Sequence, residues 1–355
     1  MLTLTNDPTL GTTSTIGRYF GVVSVVPSFF FTVWSYLLLV SQPWEGPPDL
    51  SGLTTETPAE AAALGLGLIL TSLVIAVVTH PLQFLAVQAL EGYWGPGALG
   101  SAMQERHIAR HLRRRQQLEE SKDYANDRVR RTKGGLGLKA GDDLNWADVM
   151  DAGGLAPLLG ASVQYRATKI ALGTYPQLHE NVMPTRLGNV LRKYEGVAGG
   201  AVGLDLILWA NHIGMVAEPS QTAYVQDQRN AMDLAVRMVG TCLAMFGLTF
   251  VLYWPHGVWL LVALLPLCGA FLSYRGAVAA ADSYGRALSA WIQLNRFRLY
   301  EALQLPPVRD AQEERDQNRD LEDLALGQPE YRAAFRRAAT VSGPAALRRA
   351  SRTRR

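Results

Sequence analysis

Arg186, Asn189 and Arg192 recur at three-residue spacing in PTRLGNVLRKYE. On a helix that spacing brings two guanidinium groups and an amide close together. Such a group suits either of two tasks. It can pin a polar segment to acidic partners such as Glu91 or Asp282. It can also hold an anion or an anionic lipid headgroup, because the guanidinium fork matches phosphate oxygens. Downstream, Asp205 and His212 are seven residues apart and would share one narrow stripe of a helix. His80, Glu91 and His212 are the acid–base groups available to an enzyme working on lipid at the interface.

Other chemistries are poorly served. Glu105, His107 and His111 include a His pair at i, i+4, but the Glu lies outside the pair, so the arrangement is not HExxH. RTKGGLGLKAGDD lacks the order of a phosphate-cradling P-loop and reads as a flexible connection. Cys242 and Cys268 are too few for a disulfide framework or a zinc pattern. The expectation is therefore no catalytic residue, no metal and no cofactor.

The elements that must carry these residues are set by how apolar and charged residues segregate. The chain has 355 residues, 48% of them hydrophobic, and a net charge of only +3. No Lys or Arg occurs between Arg18 and Arg106, although 34 are present in all. That gap holds two apolar runs, 19–40 and 61–79, each long enough for a hydrocarbon core of roughly 30 Å. The N-terminus lacks a basic region and a small-residue cleavage site, so the first run reads as a retained anchor. Between the runs, SQPWEGPPDLSGLTTETPAE has four acids and no base. Two further runs, 238–254 and 258–272, are joined by WPHG.

Sixteen Lys and Arg fall within 95–199 and fifteen from Arg275 onward. Basic segments stay on the cytoplasmic side. With both blocks inside, an even number of crossings must separate them. The apolar stretch 197–217 is therefore expected not to cross.

The fold class that follows is an all-α integral membrane protein with four transmembrane helices in two hairpins. A cytoplasmic tail (1–18) precedes the first hairpin (19–94). A cytoplasmic helical platform (95–230) includes the non-spanning 197–217. The second hairpin (231–279) continues into a cytoplasmic stalk (280–305), whose one face would be Leu288, Trp291, Ile292, Asn295, Leu299 and Leu303. The last segment (306–355) reads as a polar to basic, largely disordered tail. Richness in Ala, Gly and Arg suits a GC-rich bacterial genome. The expected location is the bacterial cytoplasmic (inner) membrane, with both termini cytoplasmic.

The segments HPLQFLAVQALEGYWG, PTRLGNVLRKYE followed by GLDLILW, and YRGAVAAADSYGRALSAWIQLNRFRLYEAL resemble a family of uncharacterised bacterial multi-pass membrane proteins of actinobacterial type. The resemblance covers most of 60–305. It implies shared elements of a membrane protein and no established activity.

Three functions suit this organisation. The first is a non-enzymatic scaffold or receptor that presents the platform to a cytosolic protein or to lipid. Its candidate surface is Arg186, Asn189, Arg192, Asp205, Glu91 and Asp282. The second is an oligomeric ion channel or pore, with a constriction from Phe29, Phe30 or Phe31. The apolar runs hold no central charge of the kind that marks a transport pathway. The third is the interfacial lipid enzyme named above. Membrane lipids, including anionic headgroups, are nearer partners for the basic blocks than nucleic acid is, and a homo-oligomer is compatible with all three.

Overall fold

A computed structural model describes residues 20–42, 57–135 and 155–326. The N-terminal tail, most of the acidic loop, most of the glycine-rich connection and the chain beyond 326 lie outside the described residues. Every regular element among the described residues is helical. We label them α1 (Val26–Val40, entered through a π-helical turn Phe20–Val25), α2 (Pro58–Thr79), α3 (Leu82–Glu91), α4 (Ala98–Gly135) and α5 (Leu155–Leu172). They continue with α6 (Arg186–Ala198), α7 (Leu206–Val216), α8 (Pro219–Tyr253), α9 (Leu264–Ala302) and α10 (Ala311–Ala325).

The chain divides into two compact units. Of the described residues, one holds those up to Tyr194 together with Gln226–Gly285; the other holds Glu195–Val225 and 286–326.

In the first unit, α1 packs on α2. α2 starts at a capping box: Thr57 accepts from the Glu60 N–H, and Glu60 accepts from the Thr57 N–H. Pro58 occupies the first helical turn, where its missing N–H costs nothing. At the other end, Pro81 separates α2 from α3. The side of α2 turned away from its neighbours is apolar, with Leu70, Val74, Val77 and Val78 all exposed.

The parts of α8 and α9 in this unit form an antiparallel hairpin. The chain turns within the 3-10 segment Trp254–Ala263, where Gly257 takes φ 52°, a left-handed value that glycine adopts without strain. Gly269 meets the Cys242 sulfur, and Met232 and Val236 share a core with Ala277 and Ala281. Leu187, Val190 and Tyr194 of α6 complete that core. α1 joins the hairpin through the Trp34 indole N–H, which donates to Thr249 Oγ1 (2.9 Å), and through Ser41 and Tyr253, whose hydroxyls are 2.6 Å apart. α4 pairs with α5. Ala125 of α4 and Leu158 and Ala161 of α5 are buried.

Three helical stretches are long and apolar enough to cross a membrane: Val23–Val40, Pro58–Thr79 and the bent Pro219–Ala302. The last contains both arms of the hairpin.

In the second unit, the expected stalk face is real as packing: Leu288, Trp291, Ile292, Asn295 and Leu299 are buried. The Asn295 amide donates to Gln221 Oε1 and to the Trp291 carbonyl. Of the segment from 306 expected as a polar to basic, largely disordered tail, the described part carries a docked helix, α10. Asp310 caps it, accepting from the N–H groups of Gln312 and Glu313. Glu314, Asn318 and Leu321 recur at i, i+4 and i+7 and are all buried. Asn318 donates to the Val202 carbonyl and to the Tyr300 hydroxyl (both 2.8 Å), and Tyr300 donates to Glu314 (3.1 Å). Arg296 ion-pairs with Glu314 at 2.7 Å. The buried stripe is mostly polar, so composition alone reads as solvated.

The stretch 197–217 is not one helix. α6 ends at Ala198, a 3-10 turn spans Gly200–Val202, Gly203 is left-handed, and α7 has 11 residues. At about 1.5 Å per residue α7 spans about half a hydrocarbon core.

Candidate functional site

The polar residues singled out in the sequence are distributed among distinct roles. Asn189 was expected on a surface and lies inside. Its carbonyl accepts from the Met183 N–H (2.9 Å), and its amide donates to the carbonyls of Met183 (2.8 Å) and Thr185 (2.6 Å). It folds the 183–185 entry turn onto α6. Thr185 reaches across to α3, donating to the Glu91 carbonyl (2.9 Å), and accepts from the Gly188 N–H. Gly188 itself abuts that carbonyl so closely that a Cβ would collide with it. Gly92, left-handed at φ 107°, lies against the Pro184 ring.

Asp282 of α9 accepts from the Tyr194 hydroxyl (2.8 Å) and ion-pairs with Lys193 (3.3 Å). The Tyr194 ring fits against Gly285, where any Cβ would enter the ring. Arg186 is exposed at the start of α6, and Arg192 is half-buried. Lys193 and Tyr194, which the sequence reading did not single out, thus tie this helix to Asp282. Asp205, in the second unit, does not share a helical stripe with His212. It caps α7, accepting from the Leu208 N–H (3.1 Å). His212 packs instead on Trp209, ring centroids 4.8 Å apart. Phe29 and Phe30 are exposed on the outward side of α1, whose buried side is Ser24, Pro27, Ser28 and Thr32. A ring made of those phenylalanines would need several copies of the chain.

The inward side of α1 carries the feature that the sequence reading missed. Arg237 of α8 is 7% exposed. Its guanidinium donates to Ser24 Oγ in the π-helical turn before α1 (2.7 Å), to Thr79 Oγ1 of α2 (2.7 Å) and to the Ala76 carbonyl (3.2 Å). Ala76 is fully buried, so the helices approach closely where the guanidinium enters. Ser24 Oγ also lies 3.2 Å from His80 Nδ1. Since Ser24 accepts from Arg237, its own hydroxyl hydrogen can face Nδ1. One turn earlier, Asp233 is buried and sits 3.9 Å from the Arg229 guanidinium. Its backbone carbonyl accepts from Gln83 Nε2 of α3 (3.1 Å). The pair Asp233–Arg237 thus fastens α1, α2 and α3 to α8.

Arg237 precedes the third apolar run and meets the other two helices at their ends, at Ser24 in the turn before α1 and at Ala76 and Thr79 in the last turn of α2. The signal was present as two i, i+4 patterns, Ser24–Ser28–Thr32 and Asp233–Arg237. What links them is a contact between residues more than 200 positions apart, which spacing cannot reveal.

Chemically this is a clasp. Its hydroxyls bond a cation or their own helix, as when Ser28 and Thr32 donate to the carbonyls four residues back. Among the described residues, no group of three or more His, Cys, Asp or Glu is placed to hold a metal ion. Comparison with protein-family models, with curated proteins and with solved structures gives no match.

Proposed function

We propose that this chain is a four-span membrane protein acting as a non-enzymatic scaffold or receptor. The spans are Val23–Val40, Pro58–Thr79 and the two arms of the α8–α9 hairpin. Both termini and the helices α4–α7 and α10 lie on the cytoplasmic side of a bacterial inner membrane. One observation carries the reading: α4 has 38 residues, about 57 Å of helix, and only Arg115 and Ala125 on it are buried. Such a charged arm exceeds what anchoring requires and suits recruitment of a cytosolic protein.

The test is a photo-crosslinking residue placed in turn at Gln116, Glu120 and Tyr124 of α4 in living cells. Val74 and Val78 on the apolar side of α2 serve as controls. A discrete protein adduct from α4 positions, absent from the controls, is expected. A band at twice the chain's mass would make the partner a second copy. Absence of adducts from all α4 positions, together with ion flux in proteoliposomes, would replace the scaffold by the channel.

A further inference from the structure

A second polar cluster lies apart from the Arg237 clasp, where α4 meets the chain between α5 and α6. His107, Arg110, His111 and Arg114 fall at i, i+3, i+4 and i+7 and share one side of α4. His111 Nδ1 is 3.0 Å from the Tyr175 hydroxyl, and their rings meet edge to face at 5.8 Å. One turn on, Arg115 Nη2 donates to the Gln177 carbonyl (2.8 Å), fixing the same connection against the helix.

Arg186, at the start of α6, completes the group. Its charge reaches both His111 and Tyr175, that of Arg110 reaches His111, and that of Arg114 reaches Tyr175. No acid is among the charges that act on either residue. Among the described residues the ion pairs of α4 are Arg115–Glu119 and Lys122–Asp123, which leave Arg110 and Arg114 unused. Arg110, Arg114 and Arg186 are exposed, while His107 and His111 are half-buried. Arg115 is more than nine-tenths buried, and its Nη1 has no hydrogen-bond partner. An unpartnered buried guanidinium nitrogen beside uncompensated cations calls for an anion.

The cluster's surroundings identify the source of that anion. Immediately after the apolar α2, α3 exposes Leu82, Phe84 and Leu85, and Tyr93 follows. This apolar side suits the headgroup boundary of the leaflet that α2 has just left. Trp94 then meets His107 edge to face at 5.2 Å, which ties that boundary to the first residue of the cluster. We infer that Arg110, His111, Arg114, Tyr175 and Arg186 bind the phosphate of an anionic lipid headgroup, with Arg115 and His107 lining the site. The inference rests on the membrane reading above and names the lipid class that the same cytoplasmic face would hold.

The full chain, purified in a maltoside detergent, is titrated with dioctanoyl phosphatidic acid, dioctanoyl phosphatidylcholine and inorganic phosphate. Phosphatidic acid should bind, and Arg186→Gln or the pair Arg110→Gln with Arg114→Gln should each weaken it about tenfold or more. These arginines are exposed, so ligand-free melting should be unchanged. Binding should tighten from about pH 7.5 to about pH 5.5 as His111 protonates against the anion, and His111→Gln should remove most of that dependence. Unchanged affinity in the arginine variants overturns the site. Equal affinity for phosphatidylcholine overturns the phosphate chemistry. Inorganic phosphate binding as tightly as phosphatidic acid overturns the lipid source. No partner protein enters this assay, so its failure leaves the crosslinking result untouched. Release of the chain from membranes by alkaline carbonate would instead remove the membrane reading itself.

Discussion

Arg237 keeps its charge at any pH the cell reaches, so its burial is stable only while its acceptors stay in place. Replacing it with Leu leaves the hydroxyls of Ser24 and Thr79 and the Ala76 carbonyl without their donor. We expect a loss of about 2–4 kcal/mol, read as a lower unfolding temperature in detergent. Arg237→Lys should recover only part of it, because one ammonium on a flexible stem does not reproduce a planar fork shared by two helices. A smaller loss, about 1 kcal/mol, is expected for Ser24→Ala. Equal stability of all three with the parent would remove the clasp. His111 gives a pH signature. Burial, then the charges of Arg186, His107 and Arg110, push it below its ordinary value of about 6.5. The unfolded chain therefore takes up the proton first, and the fold loses stability as pH falls below about 6.5. Above that pH the residue adds no dependence. The pH 5–8 stability curve of His111→Gln should be flatter at its acid end.

At the scale of elements, two close approaches decide how α6 sits in the first unit. Gly188 lies against the Glu91 carbonyl, and Gly285 receives the Tyr194 ring. Gly285→Ala should destabilise by about 1–3 kcal/mol, because the added carbon meets an aromatic ring enclosed in the core. Tyr194→Leu in the same chain should relieve part of that loss in a thermal melt. Docking of α10 depends on Asn318, which bonds both Val202 and Tyr300. Asn318→Ala should release the helix, visible as faster amide exchange across 311–325 with the first unit unaffected.

How much of this was legible follows from the kind of signal each element sends. α1, α2 and the α8–α9 hairpin announce themselves by long, mostly apolar runs. The break inside 197–217 is announced by Gly199, Gly200 and Gly203 only once a backbone is known to turn there. α10 stayed hidden because its inward stripe is Glu314 and Asn318, residues ordinarily read as solvated. Asn189 misled in the same way: its spacing from Arg186 is helical, but its amide serves the preceding turn.

For the molecule as a whole, charge distribution sets the proposed topology. A single cysteine at position 225, labelled by a membrane-impermeant maleimide, should react only in inverted membrane vesicles. Labelling in intact cells would place that residue outside and make 197–217 part of a crossing.

The α8–α9 hairpin pairs residues almost equally far from its turn: Cys242 with Gly269, and Met232 and Val236 with Ala277 and Ala281. Each contact therefore closes a loop only slightly longer than the one before, at little added entropic cost. Assembly can run as a zipper from Trp254–Ala263 outward, and in the proposed topology the two arms would enter the bilayer together. Arg237 follows the Cys242–Gly269 contact in that order, and its guanidinium meets Ser24 and Thr79 of the hairpin made earlier in the chain. The clasp is then the stitch that joins the second hairpin to the first, and losing it should leave a loosely closed bundle open to quality-control proteases.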